Sequence, residues 1–273
     1  FGRMSSQTEM PASRQEASEA LEDFKREYTG LSQVKYVLLE NKKDFHDHYG
    51  PNAERAVQAW AGKLGAYSRS TRTIALALAA HDDKSEIAAT LAHEGIGHSG
   101  INTFSGAEKR GLIDALIESK KHPGALRDSY WKAVEDAYPH LGKSEQAEEI
   151  FSLMAETIHA RGGGQYNAKA FDHAWQKSVV EQSEPLQAWG LAQVVEHVAH
   201  GLRENTRQHQ ILPTSDTDQF RLATPQEKMA AISSHLNQGN FSDRERSIIL
   251  ERIQNNARYA DNTAQPKASE LER

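Results

Sequence analysis

The fold is decided by the stretch Thr90-Leu-Ala-His-Glu-Gly-Ile-Gly-His-Ser-Gly100, which carries two imidazoles and a carboxylate within six positions. In the HExxH signature, two histidines four residues apart on a helix bind zinc, and the glutamate beside the first acts as general base. Here the pattern is HExxxH, because His93 and His98 are five residues apart and Glu94 follows the first of them. The stretch therefore predicts half of a metal site, with one residue added to the usual spacing.

The added residue raises a geometric problem for the helix, which is predicted from Glu86 through Gly97. On a regular α-helix, at about 100° per residue, imidazoles five positions apart would project about 140° from each other and would not reach one ion. A π-type turn, with its i to i+5 register, would return them to one face. Gly95 and Gly97 favour either such a turn or an early helix end that re-aims His98.

Two other interpretations of the stretch stay open. Glu94 and His98 are four positions apart, so they would face one ion on a regular helix. Alternatively, both histidines are hydrogen-bonded side chains of an ordinary helix, and the glutamate has no relation to a metal.

A second helix, predicted from Ser144 to Ala160, is the expected source of a further ligand. Its acidic residues are Glu145, Glu148, Glu149 and Glu156. A catalytic zinc keeps three protein ligands and leaves the fourth position to water, so a ligand from a separate element is needed. Acidic residues also favour helix N-termini because of the macrodipole, which is an alternative reason for some of them.

Together, Leu91-Ala-His-Glu-Gly-Ile-Gly-His-Ser-Gly100 and the later Ala147-Glu-Glu-Ile-Phe-Ser-Leu-Met-Ala-Glu156 carry a resemblance. A predicted strand and a short loop come before these two motifs. In this order, the elements resemble the zincin-like metallopeptidase domain found in large polyvalent proteins of phages and conjugative elements. Those domains typically read HEAxGHxG, with the same added residue. The resemblance covers roughly Val34 to Glu156 and implies a zincin fold with zinc-dependent cleavage of peptide bonds.

The resemblance also implies roles for individual residues. His93 and His98 would hold Zn²⁺, and Glu94 would take a proton from the metal-bound water. The gluzincin aminopeptidases present Asn-Glu-Gly-Phe-Ala with a further glutamate seven residues after the ligand, and Glu149 with Glu156 resembles that register. Glu149 is therefore the predicted third ligand, with Glu148 as the alternative, and Glu156 is expected to fix a histidine tautomer.

The predicted fold class is α+β: a mainly helical zincin-like domain with a small sheet beside the metal helix, followed by a helical C-terminal extension. Gln33 to Glu40 is typical of a core strand. Tyr67 to Ala80 contains alternating apolar residues, as in a half-buried strand. In a zincin, the strand before the metal helix is usually the sheet edge beside the cleft, where an extended peptide can pair; a plain core strand is the alternative.

Four segments are predicted along the chain. Residues 1–12 are interpreted as a linker remnant, because the chain begins with Phe1 rather than methionine and resembles a piece of something longer. Residues 13–161 are the zincin-like domain, and 162–208 a helical extension that packs on it. Residues 209–273 are predicted to be a linker, short helices and a disordered tail.

Composition limits the classes of partner. The 273 residues have a formal net charge of −6, which argues against strong nonspecific binding to nucleic acid. With no cysteine, a zinc site must use nitrogen and oxygen ligands. No window of eighteen apolar residues predicts a membrane span, so we expect no membrane partner and a cytoplasmic location, or delivery into a recipient cell.

These observations predict a zinc metallopeptidase that acts on a peptide or protein, either its parent polypeptide or a recipient-cell protein, alongside other domains of that parent. The alternative is a noncatalytic zincin-like module that serves in binding or delivery. Water access to the metal distinguishes the two hypotheses.

Overall fold

A small mixed sheet lies among helices in the part of the chain that the computed structural model describes, residues 12–60, 63–160 and 162–208. These ranges fall within the first of two units, Phe1–Asp218; the second is Gln219–Arg273. The segment predicted as linker, short helices and tail, 209–273, lies outside the described residues, as does most of the predicted remnant 1–12. No helix among the described residues is long and apolar enough to span a bilayer.

Most of the described chain is helical. The α-helices are α1 Arg14–Glu27, α2 Lys42–Tyr49, α3 Ala53–Ala59, α4 Lys84–Leu91, α5 Gly106–Ser119, α6 Lys132–Ala137, α7 Lys143–His159, α8 Ala168–Ala174 and α9 Ala188–Arg203. The π-helical segments are Ala92–Ser99, Leu126–Trp131 and Trp175–Val180. Together with the sheet, they confirm the α+β class.

The sheet has the strands β1 Lys35–Leu39, β2 Gly65–Ser68 and β3 Thr73–Ala77, in the order β1-β3-β2. β1 runs parallel to β3, and β2 runs antiparallel to it, so Tyr36 and Tyr67 both pair with Ile74. The plain core strand is therefore the correct interpretation of the strand before the π-helix, and the sheet-edge interpretation is wrong for it. β3 is central and buried, and β2 is the edge, because a turn at 69–72 divides the predicted strand into a hairpin.

The core forms where α7 packs along the first π-helix. Ile96 on the π-helix and Ile150 and Phe151 on α7 are fully buried. Each such side chain contributes about 1.5–3 kcal/mol by leaving water. The buried face of α9, which includes Val194 and Val198, packs against α7, so the acidic face of α7 is left beside the π-helix histidines.

Candidate metal centre

The first π-helix brings the two motif histidines onto one face. α4 begins after its N-cap Asp83 and continues into Ala92–Ser99 without a break. In this register His93 and His98 lie one π-turn apart, with ring centroids 5.0 Å from each other. The π-type turn is therefore confirmed, and the helix does not end at Gly97.

The motif glycines also allow close packing around the π-helix. Neither Gly95 nor Gly97 is among the residues with positive φ. A Cβ on Gly97 would lie 2.6 Å from Cα of Ser152 on α7, and one on Gly95 would lie 2.6 Å from Cζ of Phe24 on α1. Their small size, rather than their backbone freedom, lets the π-helix approach both neighbours.

α7 supplies the carboxylate that completes the group. Glu149 places Oε2 3.5 Å from Nε2 of His93 and Oε1 3.4 Å from Nε2 of His98. One ligand atom from each of these three residues lies within 4.8 Å of the other two. This is the group predicted from the sequence, and the structure brings it together from two elements.

Glu156 orients the first histidine. Its Oε2 accepts a hydrogen bond from Nδ1 of His93 at 2.9 Å. With Nδ1 used in this bond, Nε2 is the ring nitrogen that faces Glu149 and that would bind a metal ion. The predicted contact between Glu156 and a motif histidine is present, and its role in fixing a tautomer stays a prediction.

The electrostatics of the group favour a positive charge. Burial lowers the pKa of His93, but hydrogen bonds with Glu149 and Glu156 outweigh it and raise that pKa to about 10. Burial raises the pKa of Glu149, yet the bonds with His93 and His98 bring it down to about 2. A proton occupies this place in the ion-free protein, and a metal ion would compete for it.

Glu94 lies behind the group and is 5% exposed. Its carboxylate accepts the main-chain N–H of Tyr67 on β2, while Oε2 is buried without a hydrogen-bond partner among the described residues. Burial raises the pKa of this carboxyl group. Glu94 is not a member of the three-residue group, so the geometry favours His93 over Glu94 as the partner of His98.

Glu148, the alternative ligand, is engaged elsewhere. Its Oε1 forms an ion pair with Nζ of Lys109 on α5 at 2.7 Å. The same ammonium group donates to Asn102 at 3.0 Å. Glu149 is therefore the carboxylate of α7 that faces both histidines.

The group opens into a cleft of about 630 Å³. β2 forms one wall, and Lys63, Arg69 and Tyr138 also line it. Burial, followed by the charges of Glu149, Glu94 and Glu156, raises the pKa of the Tyr138 phenol. Tyr138 belongs to no recognisable motif, so its place in the cleft has no signal in the sequence. β2 overlaps only the beginning of the predicted strand Tyr67 to Ala80.

The residues fit a zinc ion. Two imidazole nitrogens and one carboxylate oxygen are a donor set that catalytic zinc uses, with a fourth position for water. The unpartnered oxygen of Glu94 beside them is a second sign that a polar or ionic group belongs in this place.

No family model matches the chain, and no solved structure matches it. The chain is similar to DNA primase TraC of Escherichia coli, with 29% identity over 216 residues. The match covers 75% of this chain and 14% of that protein.

This similarity contradicts the predicted function. The relative's name is that of a DNA primase, which is an enzyme of another class. The prediction of a zinc metallopeptidase, which is a hydrolase, is therefore wrong, and so is the alternative prediction of a delivery module. The name also counts against the expectation that nucleic acid is not a partner. The resemblance to the zincin-like domain is not tested by these comparisons and stays a prediction.

Proposed function

We propose that this chain is a zinc-binding domain of a primase-type enzyme and that it contacts nucleic acid as one part of a longer protein. The observation that carries the zinc site is the group of His93, His98 and Glu149. The similarity to DNA primase TraC supports the class of protein, and the 14% coverage supports a part rather than a whole enzyme.

The donor set favours zinc over magnesium. Imidazole suits zinc, whereas magnesium prefers carboxylate, water and phosphate oxygens. When bound, zinc lowers the pKa of a water molecule in its open position and polarises an oxygen ligand. The chain's own residues would hold that position open toward the cleft, with Glu156 orienting His93 and the buried Glu94 able to accept a proton.

This site is not of the kind that transfers nucleotides. Nucleotidyl transfer generally uses magnesium held by carboxylates and by the substrate phosphates. Among the described residues, the His93–His98–Glu149 group is the one set of three or more side chains placed to hold a metal. We therefore assign nucleotide joining to the rest of the longer protein.

The cleft rim offers a surface for phosphate. Lys63 and Arg69 are exposed and flank the edge strand β2 on the cleft side. Lysine and arginine contacts to phosphate position a nucleic acid without reading its sequence. With a net charge of −6 for the chain, such binding would be weak and salt-dependent.

Zinc analysis of the purified protein tests the site. We expect about one zinc per chain, lost in His93→Ala, His98→Ala and Glu149→Ala, since each change removes one of the three ligands that zinc sites of this kind require. His140→Ala is the matched control, because His140 is exposed and lies outside the group. Unchanged zinc in all three ligand variants would overturn the assignment.

Fluorescence anisotropy with a labelled single-stranded DNA tests the partner. We expect the zinc-loaded protein to bind at low salt, and Lys63→Glu/Arg69→Glu to weaken that binding. Absence of binding at any salt concentration would remove nucleic acid from the proposal. Template-dependent nucleotide incorporation by this chain alone would instead place the transfer centre within it.

The zincin-like scaffold belongs to the same proposal. A metal helix beside a small sheet, with a glutamate ligand from a second helix, supports it. An experimental structure with zinc bound is the test, and a metal held outside the cleft would contradict it.

A further inference from the structure

Lys109 contacts both α7 and the segment that follows the π-helix, but it is not a member of the three-residue group. It lies on α5, and the exposed fraction of its side chain is 15%. Its ammonium group forms an ion pair with Glu148 on α7, next to Glu149, and donates a hydrogen bond to Oδ1 of Asn102. Asn102 follows the π-helix in the 3-10 helix Gly100–Thr103.

Asn102 links Lys109 to the second histidine, His98. It is buried, and its amide nitrogen donates to the main-chain carbonyl of His98 at 2.6 Å. The carbonyls at the end of a helix have no partner within the helix, so this bond fixes the backbone that carries the imidazole. Lys109 therefore holds both His98 and Glu148 through one cationic group.

Glu148 would compete for the metal without this contact. It lines the same cleft as the three ligands, and its carboxylate is one residue from that of Glu149. A carboxylate without a partner beside a divalent cation would bind it, which would fill the open coordination position. The ion pair with Lys109 removes that competitor.

We propose that Lys109 is a positioning residue of the metal site: it holds Glu148 away from the metal and, through Asn102, fixes His98. Glu149 is then the carboxylate ligand, and one coordination position stays free. This inference rests on the proposed metal site and adds a role for a side chain that the HExxxH pattern does not include.

Cobalt(II) is the probe, because it accepts zinc ligands and its visible absorption falls when its coordination number rises above four. We expect Lys109→Met to retain cobalt and to lose absorption per bound ion, as Glu148 enters the site. Lys109→Met/Glu148→Gln should regain the wild-type spectrum, since an amide is a poor replacement for the incoming carboxylate. Lys109→Arg should keep the wild-type spectrum, because it retains a charged donor to Glu148.

Lys120→Met is the matched control, since Lys120 forms a similar ion pair with Glu135 away from the cleft. Lys109→Gln serves the same test if the methionine variant does not fold. A wild-type cobalt spectrum in a folded Lys109 variant without the charge would overturn this inference alone. If the wild-type protein binds neither cobalt nor zinc, the proposed metal site fails instead.

Discussion

At the scale of single residues, the contact between Glu156 and His93 has a measurable consequence. Outer partners of metal-bound histidines typically contribute 10–100-fold to metal affinity. We expect Glu156→Ala to weaken zinc binding by about that factor, because Nδ1 of His93 loses its acceptor and the ring loses its fixed orientation. Competition with a chromophoric chelator measures the dissociation constant.

Glu145→Ala is the matched control for this prediction. Glu145 lies on the same helix, but its carboxylate accepts the main-chain N–H of Gly142 at the helix start. Its removal should cost about 0.5–2 kcal/mol of stability as a lost cap and leave zinc affinity unchanged. Equal zinc affinities in the two variants would mean that Glu156 does not support His93.

Gly97 packs directly against the backbone of α7. A methyl group there would meet the backbone of Ser152, which cannot rotate away as a flexible side chain can. We expect Gly97→Ala to lower the free energy of unfolding by about 1–3 kcal/mol, as overpacked cores do, and to weaken zinc binding by separating α7 from the π-helix.

Gly106→Ala is the control for the methyl group itself. Gly106 is the first residue of α5, and its added Cβ would have Arg110 Nη1 at 3.5 Å as its neighbour. That change should be neutral or slightly stabilising in urea denaturation. If both alanine variants unfold at the wild-type urea concentration, the close approach at Gly97 carries no strain.

The three residues that the structure brings together could be predicted from the sequence better than their surroundings could. His93, His98 and Glu149 belong to local patterns, and the spacing of the histidines alone required a π-turn or a helix end. Lys109 and Tyr138 lie on elements that reach the cleft through tertiary packing, for which the sequence has no local pattern. The choice between Glu148 and Glu149 likewise depends on which of them meets Lys109.

At the scale of elements, the hairpin of β2 and β3 shows why the choice between an edge strand and a core strand stayed open in the sequence. Arg72, in the turn before β3, has φ +49°, a conformation that usually requires glycine, asparagine or aspartate. Because the turn contains none of these residues, nothing in the sequence marks it, and one strand is predicted where the structure has two. The central position of β3 follows from this turn.

The end of α9 should make stability depend on pH. His197 accepts a hydrogen bond from Arg207 at Nε2, and its Nδ1 is bonded to the Tyr166 hydroxyl, so the ring is neutral. Burial and then the charge of Arg207 lower the pKa of His197 to about 4. The unfolded chain therefore binds more protons below about pH 6.5, and stability falls as the pH drops from there toward 4.

We expect this loss to be about 1–2 kcal/mol, after allowance for the partial exposure of the ring. Urea denaturation at several pH values measures it. His197→Gln should reduce the slope in that window, while His200→Gln, a change at an exposed neighbour on the same helix, should leave it in place.

At the scale of the whole molecule, zinc would link two elements that are far apart in the sequence. Its ligands lie on the π-helix and on α7, more than fifty residues later, and α7 packs against α9 in turn. A ligand that binds only the folded state stabilises it by about 4 kcal/mol at a thousandfold excess over its dissociation constant. We expect a chelator to lower the Tm of the wild-type protein.

His93→Ala is the reference for that measurement. Its Tm should not respond to the chelator, because the variant lacks the site. A wild-type Tm that is also insensitive to the chelator, despite bound zinc, would place the metal in a part of the chain that does not unfold cooperatively with this unit.

The predicted class, α+β with a small sheet beside the metal helix, rested on elements with clear periodicity together with what the zincin resemblance implied. The function could not be predicted in the same way. The ligand atoms decide which metal binds, whereas the residues around the metal decide which substrate binds. Here those surroundings include β2 and the cleft rim, and the chain matches 14% of a much longer relative. The prediction of peptide-bond cleavage rested on the metal-binding motif and the family that it resembles, and neither describes these surroundings.

The π-helix also accommodates the added residue without moving the chain that follows it. A π-turn holds one residue more than the α-turn that it replaces, so a deletion between His93 and His98 would let the turn close as an α-turn. Both imidazoles would stay on one face, because a spacing of four on an α-helix and a spacing of five on a π-helix each return a side chain to that face. Asn102 and the residues after it would then keep their register. The two spacings differ by one residue in sequence and by one local turn in structure.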